Sequence, residues 1–344
     1  MTDPIISVDQ LTKTFRSPKR QGGRLGALRT LFTREYTVTS AVNGISFSVE
    51  SGELIGYIGP NGAGKSTTIK MLTGILVPTS GELQVAGVVP WQRREENALN
   101  IGVVFGQRSQ LWWDLPLIES FDLVAKMYRV APDRYRRDLG RFRELLDLDE
   151  YIDTPVRQLS LGQRMRGDLT AALLHDPRIV YLDEPTVGLD VVAKERIRSF
   201  IEEINRDRGT TVILTTHDLV DVERLCRRII LIDQGQVLYD GTVERLTAMY
   251  APYRVLVVRL APDRGDSTDG GDNANHDRPL GLPGVEPAGR EPGVIRLRFD
   301  PAIIGAPELI SAVVRRYPVS DLSIVEPELE SVIRELYERR PATT

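Results

Sequence analysis

The run Gly59, Pro60, Asn61, Gly62, Ala63, Gly64, Lys65, Ser66 and Thr67 restricts the fold of this chain more than any other segment. It follows an apolar stretch at 54–58 and opens a stretch of helical spacing at 65–73. Glycines let backbone N–H groups wrap an anion, a helix N-terminus adds its positive end, and a lysine meets the outer phosphates of a nucleotide. In a strand–loop–helix setting, G-x-x-x-x-G-K-[ST] is a triphosphate-binding loop. All nine residues are therefore candidates for ATP contact. Ser66 also offers its hydroxyl to Mg²⁺.

The rest of the pattern agrees with such a loop. Short, nearly continuously apolar segments recur at 54–59, 101–105, 179–182 and 211–215, as in strands covered on both faces. Stretches at 65–73, 117–129, 133–146, 162–175, 190–208 and 219–227 read as helices. This alternation predicts an α/β fold with a parallel core sheet. Ile45, Phe47 and Val49 alternate with polar neighbours, as in an antiparallel strand with one exposed face. The helix-rich block 108–175 interrupts the alternation and is expected to form a helical subdomain. Residues 1–251 make one domain on this reading, and 252–344 a small α+β domain. The second domain is expected to hold strands at 253–260, 294–299 and 319–325 and helices at 306–317 and 328–339. Its segment 263–290, rich in Gly, Asp, Pro and Asn, is expected to be a mobile loop. Leu329, Val332, Ile333 and Leu336 share one helical face, which suits either core or a dimerisation surface.

Asp183 and Glu184 close the apolar strand at 179–182. They fall at the carboxyl edge of the sheet, where the phosphate loop also lies. Asp183 is a candidate Mg²⁺ ligand, directly or through water. Glu184 is a candidate catalytic residue, the acceptor that polarises an attacking water.

Just upstream, Leu159, Ser160, Leu161, Gly162, Gln163 begin a helix. This segment resembles the Leu-Ser-Gly-Gly-Gln signature of the ABC transporter ATPase family. Ser160, Gly162 and Gln163 match, while Leu161 replaces a glycine. The resemblance spans roughly residues 5 to 250 and implies a P-loop NTPase of the ABC cassette type. Such a cassette has a parallel core sheet, an antiparallel β-subdomain and a helical subdomain. By the same resemblance, Ser160 to Gln163 contact ATP held on the opposite subunit. Gln107 matches the glutamine that senses Mg²⁺ and the attacking water. Gly188, Leu189 and Asp190 match the D-loop at the dimer interface, and His217 matches the switch histidine at the γ-phosphate. An aromatic ring is expected to stack on adenine. Phe15 follows the family's usual approach to that position and Tyr36 has the better distance to the strand at 45–49, with Phe15 slightly favoured.

The segment 102–116 resembles ABC-2-type exporter ATPases related to the daunorubicin/doxorubicin-resistance and sodium-efflux systems, as does the C-terminal unit. The resemblance implies an ATP hydrolase that couples dimer closure to efflux through separate integral-membrane permease subunits, with a second copy of itself as partner. It also implies a peripheral position on the cytoplasmic face of a bacterial cell membrane. Of the adjacent Trp112 and Trp113, one is expected in the core and the other at the permease. The alternative is the same ATPase gating or signalling to a membrane complex without transport. A soluble role in DNA repair or translation is disfavoured, because the chain has neither a long coiled-coil insertion nor a second cassette.

Bulk properties exclude further classes. A net charge of −4 argues against a nucleic-acid-binding surface. The single cysteine, Cys226, excludes an internal disulfide framework. No run reaches the roughly 18–20 apolar residues needed to cross a bilayer, and Met1 to Pro4 opens no secretory signal. A basic insertion at 16–40 carries Leu25, Leu28 and Phe32 on one helical face among Arg24, Arg29 and Arg34. It suits either contact with an anionic membrane surface or the permease, or a helix folded back on the protein.

Overall fold

The computed structural model describes residues 3–18, 36–106, 108–261 and 281–338. They fall into two compact units that divide between Thr242 and Val243.

The first unit is built on a six-stranded sheet of order β5-β6-β7-β3-β8-β9. Its strands are β3 (Leu54–Ile58), β5 (Ile101–Phe105), β6 (Ile179–Asp183), β7 (Thr211–Thr215), β8 (Arg228–Asp233) and β9 (Gln236–Thr242). All neighbours run parallel except β8 and β9, which form an antiparallel hairpin. Parallel strands buried on both faces need apolar side chains throughout, and every residue of β7 is buried. The register aligns Phe105 with Asp183 and Asp183 with Thr215, so three strands end abreast. β3 lies beside β7 with Gly56 opposite Leu214, which brings the phosphate loop to the same edge.

A second sheet of order β2-β1-β4 is antiparallel: β1 (Ile6–Pro18), β2 (Tyr36–Val49) and β4 (Ser80–Val85). Ile45, Phe47 and Val49 of β2 are buried and the residues between them exposed, as the alternation predicts. The helix Lys65–Leu72 contributes Ile69, Met71 and Leu72 to one core with Ile6, Leu11 and Val42 of this sheet and Tyr181 and Ile213 of the other. The flanks of the expected basic insertion are strand instead. Arg16 pairs with Val38 and Pro18 with Tyr36, because the β-rich run around Val38 extends the β1–β2 ladder. The amphipathic reading of Leu25, Leu28 and Phe32 lies outside the described residues.

The block between β5 and β6 holds the helices Leu117–Met127, Pro132–Leu146 and Leu161–Leu173. Phe121, Phe142, Leu146 and Leu169 are buried, and the Phe142 ring meets Phe200 of the helix Val191–Arg208 edge-on at 5.6 Å.

The second unit opens with the helix Val243–Tyr250, followed by an antiparallel sheet of order β11-β12-β10-β13. These strands are β10 (Arg254–Leu260), β11 (Val285–Glu291), β12 (Val294–Phe299) and β13 (Val319–Val325). Leu256, Val258, Leu297 and Phe299 form its core with Leu309 and Val313 of the helix Ala306–Arg316. β11 corrects the expected loop 263–290. Pro287 and Gly289 are tolerated there because β11 is an edge strand with an irregular register between them. Leu329, Val332, Ile333 and Leu336 of the helix Leu329–Glu338 are all buried. This helix packs against Val243–Tyr250, so the stripe is core rather than dimer surface. Among the described residues, no helix is long and apolar enough to cross a membrane.

Candidate functional site

Between β3 and the helix Lys65–Leu72 the chain makes a loop that only glycine can close at either end. A Cβ on Gly59 would lie 2.1 Å from the carbonyl oxygen of Ile232. At Gly64 the backbone has φ +109°, and a Cβ would lie 2.4 Å from the carbonyl oxygen of Ala41. The loop is thus pressed between β8 and β2. The helix has no side-chain cap at Gly64 and no acid in its first turn, so its opening N–H groups keep their positive end toward solvent. Pro60, Asn61, Gly62 and Ser66 are exposed there, Ala63 is buried and Thr67 half-buried. From beneath, the Thr68 hydroxyl donates to the Gly64 carbonyl (3.1 Å) and accepts from the Tyr57 hydroxyl at 3.2 Å.

Lys65 folds over this loop, its Nζ donating to the carbonyls of Gly59 (2.5 Å) and Pro60 (3.1 Å). Burial lowers its pKa, and the charges of Glu184 and Asp183 oppose that shift. The ammonium is therefore within electrostatic reach of both acids. That is the arrangement the sequence predicts.

Asp183 ends β6, where its side chain accepts from the hydroxyl of Thr215 and its carbonyl from the N–H of Gly106 (2.7 Å). Glu184 takes a left-handed conformation, φ +58°. Its N–H donates to the Thr215 carbonyl (2.8 Å), and its Oε2 lies 2.7 Å from Nδ1 of His217. The other carboxylate oxygen has no hydrogen bond among the described residues, and the His217 side chain is exposed. A carboxylate held by a histidine, with one oxygen left over, can accept a proton from water. Thr215 and Gly106 are part of this site and were not singled out in the sequence. A strand-end threonine reads only as β-propensity. Gly106 is required because a Cβ would sit 2.7 Å from the Glu184 carbonyl oxygen.

Ser160 caps the helix Leu161–Leu173. Its hydroxyl accepts from the Gln163 N–H (3.2 Å), and the Gln163 side chain accepts from the Ser160 N–H (2.9 Å), a reciprocal capping box. Leu161, where the signature pattern has glycine, packs on Gly188, and Gly162 lies against Leu189 and Ala193. Asp190 caps the helix Val191–Arg208 by accepting from the Ala193 N–H at 2.9 Å. Signature and D-loop thus share one surface. Among the described residues, no hydrogen bond joins Ser160, Leu161, Gly162 or Gln163 to the 59–67 loop of the same chain.

The remaining expectations fare unevenly. Phe15 and Tyr36 are both exposed on the β1–β2 ladder. Phe15 pairs with Thr39, two residues from the Ala41 that touches Gly64, whereas Tyr36 is five residues away. At ~3.3 Å per residue these are about 7 and about 17 Å. Trp112 and Trp113 are 37% and 53% exposed, so neither is core. Leu111 and Leu117, packed against Gly167, fill the space instead. Gln107 lies outside the described residues.

The ABC transporter family model matches residues 42–187. The ABC transporter ATP-binding protein NatA of Bacillus subtilis (strain 168) is 31% identical over 215 residues, 62% of this chain and 87% of the relative. The chain belongs to the ABC transporter ATP-binding proteins. The linearmycin resistance ATP-binding protein LnrL of the same organism is 36% identical over 209 residues, 61% of this ABC protein and 67% of LnrL. The Nod factor export ATP-binding protein I of Ralstonia nicotianae (strain ATCC BAA-1114 / GMI1000) is 35% identical over 217 residues, 62% and 66% of the two chains. A solved ATP-binding subunit of an ABC transporter superposes with TM-score 0.61 at 25% identity, covering 72% of this chain and 93% of the other. The MJ0796 cassette, a dimer bound to ADP and Pi, shares the fold with TM-score 0.57 at 24% identity, covering 69% and 98%. This ABC protein is therefore an ATP hydrolase of the transporter type.

Proposed function

We propose that this ABC protein is the ATP-hydrolysing subunit of an ABC-2-type exporter, driving efflux through a separate permease from the cytoplasmic face of the membrane. The observation that carries the hydrolytic part is the Glu184–His217 pair, 2.7 Å apart, on the sheet edge that also holds Lys65. Support for export comes from relatives named for linearmycin resistance and for Nod factor export.

The N–H groups of the 59–67 loop and the Lys65 ammonium bind the phosphates of ATP. Phe15, the ring nearer the loop, stacks on adenine in preference to Tyr36. Glu184 accepts a proton from the attacking water through its unpaired oxygen, while His217 holds the carboxylate in place and meets the γ-phosphate. Mg²⁺ fits the donors present. Among the described residues no group of three or more His, Cys, Asp or Glu could hold a metal. A cation held by few protein ligands and by substrate phosphates is the usual magnesium arrangement. Ser66, Asp183 and Gln107 would hold it, and it would neutralise charge on the β- and γ-phosphates. Ser160, Gly162 and Gln163 close on ATP bound to a second copy, with Asp190 alongside at the interface. Glu184→Gln is expected to slow hydrolysis by roughly 10²- to 10⁴-fold while ATP still binds and holds two copies together. Near-normal turnover in that variant means another group is the base.

A further inference from the structure

Lys13 is a cation to which the proposed site gives no part. It lies half-buried on β1, two residues before Phe15. The register pairs Lys13 with Val42 and Thr14 with Ser40, so the extra residue, Ala41, is on β2 and β1 keeps its alternation. Alternate residues of a strand share a face, as do cross-strand partners. Lys13, Phe15 and Val42 therefore look the same way. That face meets the phosphate loop, because a Cβ on Gly64 would lie 3.4 Å from the Val42 side chain. Tyr36 is paired with Pro18, three residues beyond Phe15, and falls on the opposite face.

The Lys13 ammonium makes two contacts. Its Nζ donates to the Val77 carbonyl at 2.7 Å and lies over the Phe15 ring, 5.4 Å from the centroid. A cation within about 6 Å of a ring centroid is held by the quadrupole of the ring. Val77 belongs to the segment that leaves the helix Lys65–Leu72, and the Leu76 N–H ties that segment back to the Lys70 carbonyl at 2.8 Å. One side chain thus fastens the Phe15 ring to the helix that opens from the phosphate loop. The strand itself has other ties on either side of Lys13. The Thr79 N–H donates to the Thr12 carbonyl (2.8 Å), and the Thr14 N–H donates to the Thr79 hydroxyl (3.0 Å).

We infer that Lys13 is a positioning residue for the nucleotide base, covering one face of Phe15 and holding the ring at a set distance from the phosphate loop. That role rests on the proposed stacking of adenine on Phe15. A face already taken by an ammonium has no room for a base, so the adenine is left the other. Phe15 is 38% exposed, and an exposed ring free to turn must be fixed when the base arrives, which costs affinity. A ring fixed beforehand avoids that loss.

The test measures the affinity of the full-length chain for ADP, which the ATPase does not turn over, by calorimetry with Mg²⁺ present. Melting curves check folding. Lys13→Met keeps the length of the side chain without its charge or donors, and is expected to weaken ADP about three- to tenfold. Lys13→Gln also lacks the charge and is expected to fall with it, which keeps the test open should the methionine variant not fold. Lys13→Arg keeps the cation and is expected to stay within twofold of wild type. Phe15→Ala is expected to weaken ADP at least about fivefold, and adding Lys13→Met to it should change the affinity by less than twofold, because the ring that Lys13 holds is gone. Affinity within twofold of wild type in Lys13→Met, beside a clear loss in Phe15→Ala, overturns the inference. So does an equal loss from Lys13→Met with and without Phe15, which marks a merely structural staple. Phe15→Ala that binds ADP as wild type does would instead sink the stacking on which the role rests.

Discussion

Replacing Thr215 by valine removes one hydroxyl from a fully buried position and puts a methyl group in nearly the same volume. The hydroxyl donates to the Asp183 side chain, while its backbone carbonyl, untouched by the change, accepts from the Glu184 N–H. A hydrogen bond to an ionised group contributes about 1.5–3 kcal/mol. If that stabilisation is used to aim the carboxylate at Mg²⁺, its loss corresponds to roughly 10- to 100-fold in kcat/KM. The assay is hydrolysis of ATP over a titration of Mg²⁺, with thermal melting of the nucleotide-free protein as a check on folding. Thr215→Val is expected to need more Mg²⁺ and to lose kcat/KM within that range. Thr215→Ser, which restores the donor, is expected to recover most of it. A valine variant whose Mg²⁺ dependence and kcat/KM both stay within twofold of wild type would refute the reasoning, because the bond would then be doing nothing for the metal.

Three further outcomes are expected. Gly64→Ala forces a Cβ against the Ala41 carbonyl at a left-handed position, so ATP affinity should fall at least about tenfold by equilibrium binding; an unchanged affinity would show that the cradle can shift. Phe15→Ala should weaken ATP by about 1–3 kcal/mol, the usual worth of a base–aromatic stack, and Tyr36→Ala should leave it unchanged; the reverse result would reassign the stacking ring. His175, stacked on Tyr128 and bonded through Nε2 to the Ile101 carbonyl, has its pKa lowered by burial to about 4, with Asp176 and Arg134 acting in opposite directions. Because the folded state holds this histidine neutral, the associated stability is complete above pH 6.5 and is lost as pH falls from 6.5 toward 4. The total is about 3 kcal/mol. Melting curves of His175→Gln should be flatter over that acid range, and parallel curves would remove histidine from the account.

Local chemistry was legible in the sequence wherever one segment carries its own explanation. The phosphate loop, the acids at the end of β6 and the helix start at Ser160 each need only neighbours a few residues away, and each stands where the pattern implies. Pairings across long separations were not legible. β3 is flanked by β7 and β8, about 150 or more residues further along, and nothing in Leu54–Ile58 names those partners. β4 and β9 went unread because they are partly polar, and β8, with Ile229 to Ile232 buried, was not singled out despite an apolar run like that of β3. β11 was hidden by Pro287 and Gly289, which an edge strand accepts and a central one would not. One of Trp112 and Trp113 was expected in the core, whereas both rings are exposed and Leu111 and Leu117 fill that space. Thr215 carries the same lesson: it reaches Asp183, a partner that only the folded chain brings close.

The left-handed backbone at Glu184 has a consequence for any attempt to harden this protein. A side chain with a Cβ in that conformation costs on the order of 1–2 kcal/mol. Glycine would relieve that cost at position 184, and so in part would asparagine. Selection for heat tolerance alone would therefore drift toward losing the acid, and, on the role proposed for Glu184, an engineered library scored by melting temperature would rank a dead enzyme above a working one.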